Sequence, residues 1–116
     1  MVLCQNNVQT QTQVHDTLTH ELIHAFDFCR AKVSWDNCEH HACTEIRAAN
    51  LSGDCMFTKE FDRGRFGVAA HQQECVKRRA ILSVQGNPKC ADRAAEVVEK
   101  VFETCFNDTA PFERIP

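Results

Sequence analysis

Apolar residues between Asp16 and Lys32 recur at helical spacing: Leu18, Leu22, Phe26 with Ala25, Cys29 and Val33 follow an i, i+4, i+7/8, i+11 rhythm. That stripe predicts a helix with one face on a core, starting at Asp16 or Thr17 as N-cap and running to about Lys32. Trp35-Asp36-Asn37-Cys38 breaks the rhythm, and a second helix is expected from about Glu39 to Leu51, closed by Ser52-Gly53 with glycine in the left-handed position. Residues 54–67 set Phe57, Phe61 and Phe66 among glycines and read as irregular. A third helix is expected from about Ala69 to Val84, stopped by Gly86. Asn87-Pro88 then supplies an N-cap and a first-turn proline for a last helix to about Phe106, burying Ala94, Val97, Val98, Val101, Phe102 and Cys105. Ahead of all this, residues 1–6 suit one short strand and residues 7–13 a polar loop, while the tail from Asp108, with two prolines, suits an extended path. The fold class is mainly α.

A length of 116 residues suits one domain, 1–116. The net charge of −3 excludes the basic field that drives nucleic-acid binding. No apolar run approaches the ~20 residues of a membrane span, so any membrane contact is expected to be peripheral. The eight cysteines change the picture most. In a small domain without a Cys-x-x-Cys pair they point to disulfides and an oxidising compartment rather than to thiolate ligation, and their connectivity stays open. Residues 1–20 carry no secretory signal pattern, so the expectation is a mature fragment, a truncated chain, or a protein oxidised in a compartment entered without such a signal.

The chemistry lies on the first helix. His20-Glu21-Leu22-Ile23-His24 is an HExxH motif, whose two imidazoles at i and i+4 can grip one zinc ion. Glu21 lies about 100° around from His20, where a carboxylate reaches a water rather than the metal. The flanks Thr17, Leu18, Leu22, Ile23, Ala25 and Phe26 fit the protease form of the motif. A catalytic zinc needs a third protein ligand. The metzincin position, six residues past the second histidine, is Arg30, which excludes that class. The gluzincin solution, a glutamate some twenty residues on, points to Glu45. Asp27 competes because it shares the histidine face, yet it is better placed as an acceptor behind a ligand imidazole. His41 lies one turn before Glu45, and His40 or His71 can also approach. Such lone histidines are more often structural, although one can serve the transition-state oxyanion in a chain without tyrosine. If the cysteines pair, Cys29 is expected to tie the active helix to a neighbour and Cys43 to anchor the element bearing Glu45.

The stretch Thr17 to Asp27, then Cys29-Arg30-Ala31, His40-His41-Ala42-Cys43, Glu45 to Cys55, Glu74 to Ala80 and Cys105-Phe106-Asn107-Asp108-Thr109 resembles the mitochondrial inner-membrane metalloprotease family that assists ATP synthase assembly. The resemblance covers essentially the whole chain. It implies a zincin-like, gluzincin-type helical core, with His20 and His24 as zinc ligands and Glu21 as the catalytic glutamate. It also implies a zinc endopeptidase on the intermembrane-space side of the inner membrane, peripherally held and given its disulfides by oxidative import machinery. Its polypeptide substrate would be the precursor of an ATP synthase membrane subunit, trimmed at the N-terminus, and a second role in assembling that complex is implied. Members of the family are longer at the N-terminus, so this chain reads as the C-terminal part of a longer domain whose N-terminal sheet is largely missing. Two alternatives stay open: an assembly chaperone independent of proteolysis, with Phe57, Phe61 and Phe66 on its binding surface, or an inactive truncated form. The Ku-binding label that some relatives carry implies a nuclear role, against which the cysteine usage argues.

Overall fold

Asn37 bends the chain into its central helix. In an extended conformation its side-chain oxygen accepts from the N–H groups of Glu39 and His40, filling two of the donors a helix start leaves unpaired. The computed structural model describes residues 11–53, 55 and 68–113. These form α1 (Gln11–Arg30), α2 (Cys38–Leu51), α3 (Val68–Gln85) and α4 (Ala94–Asn107), the last preceded by a 3-10 turn at Ala91–Arg93. The fold is mainly helical, with no strand among the described residues. The strand expected at residues 1–6 and the segment with Phe57, Phe61 and Phe66 lie outside them.

Helix α2 is the hub. It packs on α1, α3 and α4, whereas among the described elements α1 packs on α2 alone. Cys38, Ala42, Ile46 and Ala49 of α2 meet Val76, Ala80 and Val84 of α3 and Val98 and Phe102 of α4 in the main core. The alanines let the helix axes approach closely. A second, smaller core joins Ile23 of α1 to Ala48 and Leu51. Disulfides Cys38–Cys90 and Cys43–Cys105 fasten α2 to the segment before α4 and to α4 itself, and Cys55–Cys75 fastens the segment after α2 to α3. Cys43 thus anchors the element bearing Glu45. Cys29 does not tie α1 to a neighbour, because it is exposed and free.

The expected spans of α2 and α3 lie within a residue or so of the observed ones, and α2 ends with Gly53 at φ +94°, against which Asp16 of α1 packs. A Cβ at Gly53 would stand 2.8 Å from the Asp16 carboxylate oxygen and push that side chain aside, while the positive φ itself favours glycine there. Three expectations are corrected. Helix α1 begins at Gln11, so Asp16 and Thr17 are interior residues and not caps; glutamine is a good helix former. Helix α4 does not begin at Pro88: the Asn87 side chain accepts from Lys89 N–H and its main-chain carbonyl from Cys90 N–H, closing a turn. The expected apolar stripe of α1 is not its buried face either. Leu22 is 55% exposed, whereas Ile23 and Asp27 are buried. The face that meets α2 carries His20, Ile23, His24 and Asp27, because polar groups there find partners on α2.

Candidate metal centre

Buried Arg47 explains how a polar helix face can be packed away. Arg47 Nε donates to both oxygens of Asp27 at 3.0 and 3.1 Å, and its outer nitrogens reach the main-chain carbonyls of Asp108 and Ala110. One guanidinium thereby joins α1, α2 and the segment after α4. Beside it, the Thr44 hydroxyl donates to Asp27 Oδ2 at 2.7 Å. Its only proton being spent, the hydroxyl can only accept from His24 Nδ1, 3.0 Å away. His24 therefore carries its proton on Nδ1 and turns a bare Nε2 inward. Asp27 stands behind the His24 imidazole and reaches it through Thr44 rather than by direct contact.

That bare nitrogen faces His20 Nε2 at 3.1 Å and Glu45 Oε1 at 3.3 Å. Glu45 Oε2 lies 3.9 Å from His20 Nε2. Burial, against the upward pull of Glu45 and with the help of His20, holds the His24 pKa below its ordinary value, keeping the ring neutral. Burial pushes the Glu45 carboxyl up, but the hydrogen bond from His41 and the electrostatic influence of the neighbouring His24, His20 and His41 imidazoles outweigh it and bring its pKa below the ordinary value. A lone-pair nitrogen and an ionised oxygen thus converge in a partly buried pocket, an arrangement that is unfavourable unless a cation or shared proton lies between them. The ligand atoms of His20, His24 and Glu45 lie within 4.8 Å of one another. Tetrahedral zinc with nitrogen and oxygen ligands sets such atoms about 3.4 Å apart. The donor set therefore fits zinc in number, type and spacing.

Glu21 lines an open cavity of about 460 Å³ with His20, His24, Phe28, Trp35 and Glu45. Trp35 roofs it, its ring 5.9 Å from that of His24 and 4.3 Å from that of His41, both edge-on. The structure thus brings His20, His24, Glu21 and Glu45 to one cavity and leaves Asp27 engaged with Thr44 and Arg47. His41 also approaches, with Nε2 3.5 Å from Glu45 Oε1. His40 is exposed and accepts from Ser34 N–H, and the His71 side chain lies outside the described residues.

The Peptidase M76 family matches residues 1–113. The chain belongs to that family. Among its relatives, mitochondrial inner membrane protease ATP23 of Eremothecium gossypii is 52% identical over 121 residues, covering 99% of this chain and 48% of its own length. The ATP23 homolog of Danio rerio is 56% identical over 118 residues, covering 100% of this chain and 46% of its own length. Mitochondrial inner membrane protease atp23 of Schizosaccharomyces pombe is 50% identical over 118 residues, covering 99% and 64%. The chain spans about half the length of most curated relatives it matches. No solved structure matches it.

In this M76 chain, sequence reasoning missed Thr44, Trp35 and Arg47. Thr44 had a usable signal, since it adjoins Glu45 and so shares its approach to the HExxH helix. Trp35 was visible only as the residue that ends the α1 pattern, and nothing in the spacing of Arg47 marks it as buried.

Proposed function

We propose that the chain is the metal-holding and catalytic part of a zinc endopeptidase. The observation that carries this reading is the convergence of the bare His24 nitrogen on His20 and Glu45, with Glu21 beside them and outside the trio. His20, His24 and Glu45 would hold the ion. When bound, zinc supplies Lewis acidity, polarising a peptide carbonyl and making a nearby water more acidic. Glu21 takes the proton from the attacking water and returns it to the departing amine nitrogen, so the proton lost by water ends on the new N-terminus. Thr44 holds the His24 ring in the tautomer that presents Nε2. Trp35 and Phe28 give the open cavity an apolar wall that accepts apolar parts of a polypeptide.

The named relatives support a place at the mitochondrial inner membrane, and three disulfides suit its intermembrane-space side. No described helix is long and apolar enough to cross a membrane; peripheral attachment is what the family resemblance implies. The family resemblance extends the proposal to N-terminal trimming of an ATP synthase membrane subunit and to help in assembling that complex, with import by the oxidative machinery. The test is Glu21→Gln in the full chain: zinc content is expected to stay and processing to stop. Undiminished processing by that variant would end the mechanism. If assembly survives while processing is lost, the chaperone role is separate from the protease.

A further inference from the structure

We infer, resting on the zinc reading above, that His41 is a positioning residue for Glu45 and that Asn87, in the turn after α3, acts through it. The argument is a count of protons. Asn87 Oδ1 accepts from Lys89 N–H at 3.1 Å, and a main-chain N–H can only donate. Asn87 Nδ2 lies 2.9 Å from the Trp35 carbonyl oxygen, which can only accept. Both partners fix the same orientation of the amide, so the group 3.2 Å from His41 Nδ1 is an N–H donor. His41 Nδ1 accepts, and the ring's proton sits on Nε2, the atom that faces Glu45 Oε1 at 3.5 Å.

The ring has little freedom to do otherwise. It is 6% exposed, with the Trp35 ring set edge-on 4.3 Å away. Three consequences follow. His41 is not a fourth ligand, because a neutral imidazole accepting at Nδ1 has no lone pair at Nε2 to offer. Its Nε2–H is directed at Glu45 and so is not the donor a reacting carbonyl oxygen would need. What it does is restrain a glutamate whose side chain is otherwise free to turn away from the histidines of α1. Because Asn87 also holds the Trp35 carbonyl, the same amide ties the roof of the cavity to the carboxylate beneath it.

The experiment is zinc affinity by competition with a chromogenic chelator, together with melting of the metal-free protein, for the full chain carrying His41→Leu, His41→Gln or Asn87→Asp. Loss of the donor in His41→Leu is expected to weaken zinc about 10–100-fold. His41→Gln, whose amide N–H can replace Nε2–H, should retain most of the affinity. Asn87→Asp puts an acceptor against Nδ1, draws the proton to that side and should weaken zinc without removing the imidazole. In a His41→Leu background Asn87→Asp should add nothing. Unaltered zinc affinity in both His41→Leu and Asn87→Asp overturns the inference, as does a fall in His41→Gln equal to that in His41→Leu. If the unsubstituted protein takes up no zinc, the zinc reading itself fails and this inference with it. Should His41→Leu not fold, the Asn87→Asp and His41→Gln pair decides the matter alone.

Discussion

Asp27 and Arg47 meet as a buried pair, Arg47 Nη2 2.9 Å from Asp27 Oδ1, and this contact sets α1 against α2. It crosses the interface just below the histidines, so the site above it inherits its precision. Each member satisfies the other's charge in a place with little water, which makes the pair costly to halve.

Arg47→Met is therefore expected to destabilise the protein by about 3–5 kcal/mol, because the buried Asp27 carboxylate keeps only Thr44 and the more distant Arg30 at 3.4 Å and the Asp108 and Ala110 carbonyls lose their donor. Urea unfolding measures it. The double variant Asp27→Asn, Arg47→Met should recover part of the loss. A single-variant effect below about 1 kcal/mol, the scale of an exposed pair, would contradict the role given to this contact.

Thr44→Val keeps the shape of the side chain and removes the hydroxyl that accepts from His24 and donates to Asp27. Zinc affinity should fall about 10–100-fold, as when partners behind a ligand imidazole are lost. Thr44→Ser should retain most of it. Chelator competition distinguishes the two, and equal affinities would show that the tautomer of His24 is set elsewhere.

Asp108 gives a pH dependence. Burial pushes its carboxyl up, but the hydrogen bond from Arg30, the charge of Arg47 and the Ala110 N–H outweigh it, so its pKa lies below the ordinary value in the folded protein. A depressed folded pKa contributes stability that is complete above the unfolded value and lost as pH falls through the folded one. The stability gap between the unsubstituted protein and Asp108→Asn should thus be present at neutral pH, shrink below about pH 4 and vanish in stronger acid. A gap that is constant across this range would rule out the ionised contact as its source.

Replacing Cys43 and Cys105 together by alanine removes a crosslink spanning 62 residues and should cost about 2–5 kcal/mol. Zinc affinity of the folded protein should change less than in Thr44→Val, because α1 takes no part in that bond. Thermal melting and zinc titration on the same sample check both statements. A larger loss of affinity here than in Thr44→Val would mean that α2 is positioned mainly by its sulfur bridge.

The legible parts of the fold were those that local rules govern. Gly53 closed α2 by its positive φ, and apolar spacing marked the buried face of α4, whereas the Asn37 cap that opens α2 showed in the sequence only as a break in the pattern. The motif and the distance to Glu45 were enough to name three groups that the fold brings together. What spacing could not supply was which face of α1 turns inward. Leu22 and Cys29 look like core residues on a wheel, yet the face that packs is polar, and it can pack only because Arg47 and Thr44 lie opposite. Such pairings are tertiary facts with no periodicity of their own. Asn87 shows the same limit at a helix start, since its side chain is equally suited to a cap or a turn.

Helix α1 touches α2 alone among the described helices, and no sulfur bridge among the described residues reaches it. Its docking rests on Ile23, on the Asp27–Arg47 pair, on the bonds of Thr44 to Asp27 and His24, on the packing of Asp16 against Gly53 and on the Arg30–Asp108 contact at 2.6 Å. The molecule is thus a sewn body with an unsewn arm, and its amide protons should exchange in that order, those of α1 first. On the proposed ligand set, an ion held by His20 and His24 on the arm and by Glu45 on the body is the clasp between them. Stripping it should loosen the arm while the body keeps its shape, so on that ligand set metal loss would be an opening and not an unfolding.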